Sequence, residues 1–157
     1  YANGEPRLMS YESLAEGGFA TGTMLGSGGF IAFDEDQCIV RNTWNFARFY
    51  HHESCGQCSP CREGTGWMEK ILHKIEYGHG TSADIDLLWD VQRKIEGNTI
   101  CPLGDAAAWP VASAIRHFRD EFEWHVKEPN KSQTQNYGIA NYANPIEKAV
   151  EVKQDNL

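Results

Sequence analysis

The sequence has no long apolar run and no excess of basic residues. Its 157 residues include 14 lysines and arginines against 22 aspartates and glutamates, which gives a formal net charge of −8. A chain with this charge is not expected to bind nucleic acid or an anionic membrane surface. Because no segment approaches the roughly 18 apolar residues that a membrane-spanning helix needs, we expect no direct membrane insertion.

The sequence also lacks a signal peptide, an initial methionine and the cysteine content of a disulfide-stabilised domain. The first ten residues, YANGEPRLMS, contain no charged segment followed by an apolar one, so we expect an internal or processed part of a longer protein. The five cysteines are few for this length, and an odd number leaves one unpaired. This composition indicates a reducing compartment, where clustered thiols are typical of metal sites.

The chain divides by composition into three parts. Residues 1–40 are glycine-rich, and residues 30–33 (FIAF) are predicted to form a short buried strand between turns. The segment GTMLGSGGF in this part lacks the lysine and hydroxyl residue of a phosphate-binding P-loop, so it is predicted to be a plain turn. Residues 41–126 have helical periodicity, and the polar residues 127–157 are predicted to be an extended or disordered tail.

Four amphipathic helices are predicted between residues 41 and 126, and together they suggest a small bundle. Asn42 or Thr43 and Ser82 are the candidate N-caps, and Gly78 and Gly97 are the candidate stops. The fourth helix is expected to begin just behind Pro110. The side chains predicted to face inward are Phe46, Phe49 and Tyr50; Trp67, Met68, Ile71, Leu72 and Ile75; Ile85, Leu88, Trp89 and Ile95; and Val111, Ile115, Phe118, Phe122 and Val126.

Three cysteines at intervals of three, in ESCGQCSPCREG, are the main chemical signal. Cys55, Cys58 and Cys61 form a C-x2-C-x2-C run, and Cys101 follows after 39 further residues in NTICPLGD. Four thiolates are what a [4Fe–4S] cluster requires, one for each iron. The loop has no large apolar side chain, so it cannot contribute to a core. We therefore predict that these four cysteines bind a [4Fe–4S] cluster.

The residues around the cysteines suit a negatively charged cluster. A helix is predicted to begin just after Cys61, and the start of another, at Asp105 to Pro110, lies just beyond Cys101, so two helix N-termini are expected near the cluster. Arg62 adds a positive charge next to Cys61. Hydrogen bonds and charges near the sulfur atoms tune the reduction potential of such clusters.

A structural zinc site of four cysteines is the main alternative. Such sites usually take their ligands from two C-x2-C pairs, whereas here the division is three and one. A thioredoxin-like redox pair is disfavoured because a third cysteine follows and no βαβ pattern surrounds it.

The other candidate ligands have simpler interpretations. Cys38 is followed by Ile39 and Val40 and is predicted to be a small buried side chain. His51 and His52 could replace a ligand, but with four cysteines available they are expected to lie at the surface or pack around the cluster. The remaining histidines, His73, His79, His117 and His125, show no metal-binding spacing among themselves.

Three segments of the sequence resemble a known family. ESCGQCSPCREGT and GNTICPLGDAAAWPVASAIRHFRDEFEWHV, together with GSGGFIAFDED, are similar to the C-terminal part of the NADH/FMN-binding, F-type subunit of NADH:quinone oxidoreductase, respiratory complex I. The cysteine loop alone would also be shared with the diaphorase subunits of NAD-reducing hydrogenases and formate dehydrogenases. GDAAAWP with IRHFRDE favours the complex I subunit.

The resemblance implies a mainly α fold, a four-helix iron–sulfur bundle in residues 41–126 preceded by a β-grasp (ubiquitin-like) remnant in residues 1–40. It makes Cys55, Cys58, Cys61 and Cys101 the cluster ligands. The cluster would take electrons from FMN and pass them along an iron–sulfur chain towards quinone. FMN and NAD would be bound by a preceding region, so this chain alone is not expected to be catalytic.

The resemblance also implies the partners and the location. The expected partners are the FMN- and NADH-binding region and the neighbouring iron–sulfur subunits of the peripheral arm. The expected location is the cytoplasmic side of the inner membrane, or the matrix side in a mitochondrion.

Overall fold

The computed structural model describes residues 31–33 and 37–128, and within them the protein is helical. Its four helices are α1 (Ile39–Glu53), α2 (Ser59–Glu76), α3 (Ser82–Ile95) and α4 (Leu103–Lys127). The four helices predicted from periodicity are thus confirmed in number and order. No helix in this described part is both long and apolar enough to cross a membrane.

The helices pack as an antiparallel bundle joined by short connections. α1 packs on α2 and α4, α3 packs on the same two helices, and α2 also contacts α4 across the bundle. The cysteine loop between α1 and α2 therefore lies at the same end as the connection between α3 and α4. The core between the helices consists mainly of Val40, Ala47, Met68, Leu72, Ile75, Ile85, Leu88, Ile95, Ala107, Ala108, Val111, Ile115 and Phe122, all nearly inaccessible to solvent.

The start differs from the sequence-based expectation in three of the helices. α4 begins at Leu103, so Pro110, which was expected in its first turn, lies inside the helix. α1 begins at Ile39 behind Cys38, whose Sγ accepts a hydrogen bond from the Arg41 amide. The predicted caps Asn42 and Thr43 lie inside the helix and are buried. α3 is capped by Thr81 rather than Ser82, because Thr81 and Asp84 form a reciprocal capping box.

The predicted inward faces are right for most aliphatic residues and wrong for several aromatic ones. Phe49 is 57% exposed, Trp67 55% and Phe118 44%. At Phe118 the backbone leaves helical geometry, with φ −133° and ψ 30°, and α4 changes direction there. This break carries Phe118 off the buried face, and Phe122 and His125 continue the core beyond it.

The predictions for the two ends of the chain fall mostly outside the described residues. The predicted buried strand at residues 30–33 is wrong for its last three residues, since these have no strand structure and are exposed. A strand needs a neighbouring strand to satisfy its backbone, and the described residues contain none. Of the β-grasp remnant predicted for residues 1–40, residues 1–30 and 34–36 lie outside the described part, and the predicted boundary at residue 40 is wrong because α1 already begins at Ile39. Nearly all of the tail at 127–157 also lies outside the described part.

Close packing of α2 on α3 at Gly64 gives a test of the fold. An alanine Cβ at Gly64 would lie 2.7 Å from Cγ1 of the buried Ile95. Overpacking a core costs about 1–3 kcal/mol, more than the gain of up to about 1 kcal/mol from alanine in a helix. We predict that Gly64→Ala lowers the free energy of unfolding by roughly 1 kcal/mol, measured by urea denaturation under anaerobic conditions.

The matched control is Gly66→Ala, two residues further along the same helix. Its Cβ would meet the His51 ring, with Nε2 at 2.9 Å. The His51 side chain is 43% exposed and can move aside. Unfolding midpoints that are equal in the two variants would contradict this account of the α2–α3 contact.

Candidate metal centre

The cysteine loop makes a tight turn between α1 and α2. α1 ends at Glu53, and Ser59 begins α2 with Pro60 in its first turn. Gly56 has a φ of 77°, a left-handed conformation that other residues rarely adopt. The turn brings Cys55 and Cys58 onto the loop and places Cys61 within the first turn of α2.

The three loop cysteines differ in exposure. Cys61 is buried, Cys58 is half-buried and Cys55 is exposed. The Ser54 hydroxyl lies 3.2 Å from the Cys61 Sγ, and the Thr65 hydroxyl donates to the Cys61 carbonyl at 2.7 Å. These contacts fix Cys61 at the edge of the core, whereas Cys55 is open to solvent.

The connection that carries Cys101 touches the cysteine loop directly. The Ile100 amide donates to the Cys58 Sγ at 3.4 Å, across 42 positions of the sequence. The connection is held by Asp105, which accepts a hydrogen bond from the Gly97 amide at 2.7 Å, and by the Thr99 hydroxyl, which donates to the Cys101 carbonyl at 3.0 Å. Cys101 is exposed and immediately precedes α4.

Positive electrostatic elements surround these thiols. Cys58 is the N-cap of α2, and Cys101 lies one residue before Pro102, the N-cap of α4. Free amides in the first turn of a helix favour negative charge. Arg62 reaches back over the loop, where its Nη1 donates to the Gly56 carbonyl at 3.0 Å and its Nε pairs with Glu63 at 2.8 Å.

The arrangement of the sulfur atoms disfavours a single metal ion. Thiolates that share one Zn²⁺ at about 2.3 Å lie roughly 4 Å apart. Within the described part of the chain, no three of the four sulfur atoms lie within 4.8 Å of one another. Four free thiols, with an amide donor at Cys58 and a hydroxyl at Cys61, fit the larger cluster of iron and sulfide instead.

Comparison with known proteins identifies the helical part of the chain. Residues 41–125 match the family described as NADH-ubiquinone oxidoreductase-F iron-sulfur binding region. The chain belongs to this family. The match spans the four helices, apart from two residues at each end, and all four cysteines, and the predicted resemblance is confirmed.

The relatives include F-type subunits of NADH-quinone oxidoreductase. The chain is 44% identical over 127 residues to F-type subunit 1 of Rhizobium meliloti, covering 81% of this chain and 28% of that protein. It is 51% identical over 112 residues to the F-type subunit of Mycobacterium tuberculosis, covering 71% of this chain and 25% of that protein. The chain thus spans about a quarter of the length of these relatives.

A solved structure shows a similar fold in another enzyme. An NAD⁺-reducing [NiFe]-hydrogenase in the H₂-reduced state matches with a TM-score of 0.57 and 37% identity, covering 60% of this chain and 16% of that one. A fold similar to that of this chain is therefore also present in an NAD⁺-reducing hydrogenase.

The family description confirms the predicted cofactor, a [4Fe–4S] cluster. The structure adds contacts that the sequence did not reveal, namely the Ile100 amide and the Ser54 hydroxyl at the sulfur atoms. No sequence pattern marks a backbone donor from a distant loop. His51 and His52 are exposed and paired with Glu69 and Glu53, as expected for surface residues.

Gly104 in the first turn of α4 packs against the Thr99 side chain of the Cys101 connection. An alanine Cβ at Gly104 would lie 2.5 Å from Cγ2 and 2.9 Å from Cβ of Thr99 and would also collide with Oγ1. We predict that Gly104→Ala displaces this connection and speeds cluster loss to a chelator several-fold, measured by the decay of visible absorbance.

A double variant tests the cause of this loss. All the colliding atoms belong to the Thr99 side chain, so Thr99→Gly together with Gly104→Ala removes the collision. The double variant is expected to lose its cluster more slowly than Gly104→Ala alone. An equal or faster loss would show that the contact between Gly104 and Thr99 does not position the connection.

Proposed function

We propose that this chain holds the [4Fe–4S] cluster of an F-type subunit of NADH:quinone oxidoreductase, as an electron relay between FMN and further iron–sulfur centres. The observation that carries the proposal is the contact between the Ile100 amide and the Cys58 sulfur, within a region that matches the oxidoreductase-F family. When bound, the cluster supplies reversible one-electron transfer.

In this proposal the ligands are Cys55, Cys58, Cys61 and Cys101. The four thiols are free, and three of them are on one loop that the fourth approaches through its neighbour Ile100. Cys38 is excluded from the set because it is the N-cap of α1, at the other end of the bundle.

Groups around the cysteine loop would stabilise the negative charge of the bound cluster. The Ile100 amide donates to a ligand sulfur, and the Ser54 hydroxyl contacts another. The first turns of α2 and α4 add partial positive charge, and Arg62 adds a full one. Donors and cations at the sulfur atoms favour the more negative, reduced state and so raise the potential.

The similarity to F-type subunits also suggests the domain division and the partners of the whole protein. We propose that the residues before Asp34 are the end of a β-grasp domain, that the iron–sulfur domain extends from there to residue 126, and that residues 127–157 are an extended tail. NADH and FMN would be bound by another region of the whole protein. The partners would be iron–sulfur subunits of the peripheral arm, on the cytoplasmic or matrix side of the membrane.

A diaphorase module of an NAD⁺-reducing hydrogenase is the second candidate, supported by the similarity to that enzyme's structure. Identities of 44–51% to F-type subunits of NADH-quinone oxidoreductase favour the first candidate. Affinity capture of the native full-length protein distinguishes them by activity. Co-purified NADH:quinone reductase activity supports the first candidate, and co-purified hydrogenase activity would replace it with the second.

The ligand set is tested by single cysteine substitutions. We predict that Cys101→Ser reduces cluster iron as severely as Cys58→Ser, to less than about a quarter of the parent, because each iron needs its own thiolate. Cys38→Ala is the matched control and should keep the parental iron content. Iron analysis and the EPR spectrum of the reduced protein give the result, and full iron in Cys101→Ser would remove it from the set.

The role of Arg62 is tested by potentiometric titration. Arg62→Ala removes a cation near the cluster and the clamp on the Gly56 carbonyl. An exposed charge contributes about 0.2–1 kcal/mol, so the midpoint should fall by roughly 10–40 mV for a one-electron couple. Arg62→Lys keeps the charge and should shift less, whereas an unchanged or higher midpoint in Arg62→Ala would contradict this role.

A further inference from the structure

A second group of metal-ligand side chains lies at the opposite end of the bundle from the cysteine loop. There α1 begins, and α2 and α4 end. Cys38 is 1% exposed, Glu76 7% and His125 not at all. Each comes from a different element, so that the group joins three of the four helices.

The three side chains converge at distances suited to one ion. The Cys38 Sγ lies 3.3 Å from Nε2 of His125 and 3.8 Å from Oε2 of Glu76. The same Glu76 oxygen lies 3.8 Å from Nδ1 of His125, and one ligand atom from each residue falls within 4.8 Å of the others. Ligands of a tetrahedral Zn²⁺, at about 2.0–2.3 Å from the metal, lie roughly 3.5 Å from one another.

Burial makes the group costly without a cation. Burial raises the pKa of Glu76 to about 7, although Arg41 opposes the shift. Burial, followed by the negative charge of Glu76, raises the pKa of the Cys38 thiol. A divalent cation would offset both effects, because its two positive charges cancel the negative charges of one thiolate and one carboxylate, and the imidazole is neutral.

The neighbouring groups hold these side chains in place. The Arg41 amide donates to the Cys38 Sγ at 3.3 Å, and the Arg41 guanidinium lies 3.8 Å from the other Glu76 oxygen. Glu121 accepts a hydrogen bond from the Ile39 amide at 2.8 Å, and its negative charge contributes to raising the pKa of the Cys38 thiol. The positive charge of Arg41 balances the negative charge of Glu121, and both orient Cys38 from outside the group.

The mixture of donor atoms indicates the class of metal. Calcium and magnesium prefer oxygen ligands alone, whereas sulfur, imidazole and carboxylate together suit a borderline transition ion. We propose that Cys38, Glu76 and His125 bind one Zn²⁺ or a chemically similar divalent ion, which ties the start of α1 to the ends of α2 and α4. Of these three residues, only the burial of Cys38 was predicted from the sequence.

The first test is the metal content of the cluster-loaded chain. Protein produced with zinc in the medium is passed over a desalting column with EDTA, and zinc and iron are counted by mass spectrometry. The parent is expected to hold about one zinc in addition to its iron. In Cys38→Ala and Glu76→Gln the zinc content per chain should fall at least tenfold, whereas the iron content should not change. His52→Ala replaces an exposed histidine and should keep both metals.

Glu76→Gln separates a metal site from a hydrogen-bonded network. Glutamine preserves the size of Glu76 and one acceptor oxygen but removes the negative charge and replaces the second oxygen by an NH2 donor. A metal-free network can keep the hydrogen bond from Cys38 through the remaining oxygen, whereas a metal site loses an anionic ligand. Parental zinc in Glu76→Gln or Cys38→Ala, or less than a tenth of a zinc per chain in the parent, would overturn the proposal.

Zinc X-ray absorption of the same sample identifies the ligands. One sulfur with nitrogen and oxygen neighbours is expected for Cys38, His125 and Glu76. A shell of four sulfur atoms would place the zinc on the cysteine loop instead and overturn the proposal. Because iron is counted in every sample, failure of this second site is distinguishable from failure of the cluster assignment.

Discussion

Antiparallel packing of the helices is the constraint on which the candidate centre depends. α2 and α4 both begin at one end of the bundle, so residues on either side of their N-termini meet although 42 positions separate Cys58 from Ile100. A parallel arrangement would move the Cys101 connection along the 18 residues of α2, a distance of about 27 Å. The aliphatic core between the helices, from Met68 to Phe122, therefore determines whether the thiols can share one cluster.

The sequence predicted those features whose signals are local. Apolar side chains at intervals of three and four residues marked the four helices, and the spacing of the cysteines marked the cofactor. The errors concern side chains whose surroundings lie elsewhere in the chain. Trp67 was predicted to face inward on the stripe of α2, but it is 55% exposed, because α3 approaches at Gly64 and leaves Trp67 at the rim. Cys38 was not recognised as a cap because a thiol is a weak acceptor that rarely has this role.

The missing parts of both sites share one physical reason. Glu76 is 38 positions from Cys38, and His125 is 87 positions from it. Thr99 and Gly104 are closer in sequence, but their contact depends on the turn that precedes α4. The periodicity of apolar residues shows which face of a helix is buried. It contains no information on which ends of two helices lie together. The cysteine loop was detectable because its three cysteines lie close together in the sequence, at intervals of three residues.

The two ends of the bundle have complementary electrostatics along the same two helices. Thiols lie at the first turns of α2 and α4, where free amides favour negative charge, and Glu76 and His125 lie in their last turns, where free carbonyls favour cations. Cys61 and Glu76 are 15 positions apart in α2, which is about 23 Å at 1.5 Å per residue. The divalent ion proposed at the Cys38 end would form a group of zero net charge with Cys38, Glu76 and His125, so its field at this distance is weak. A cation at the Cys38 end would therefore act on the stability of the bundle and leave the potential at the cysteine end to its own neighbours.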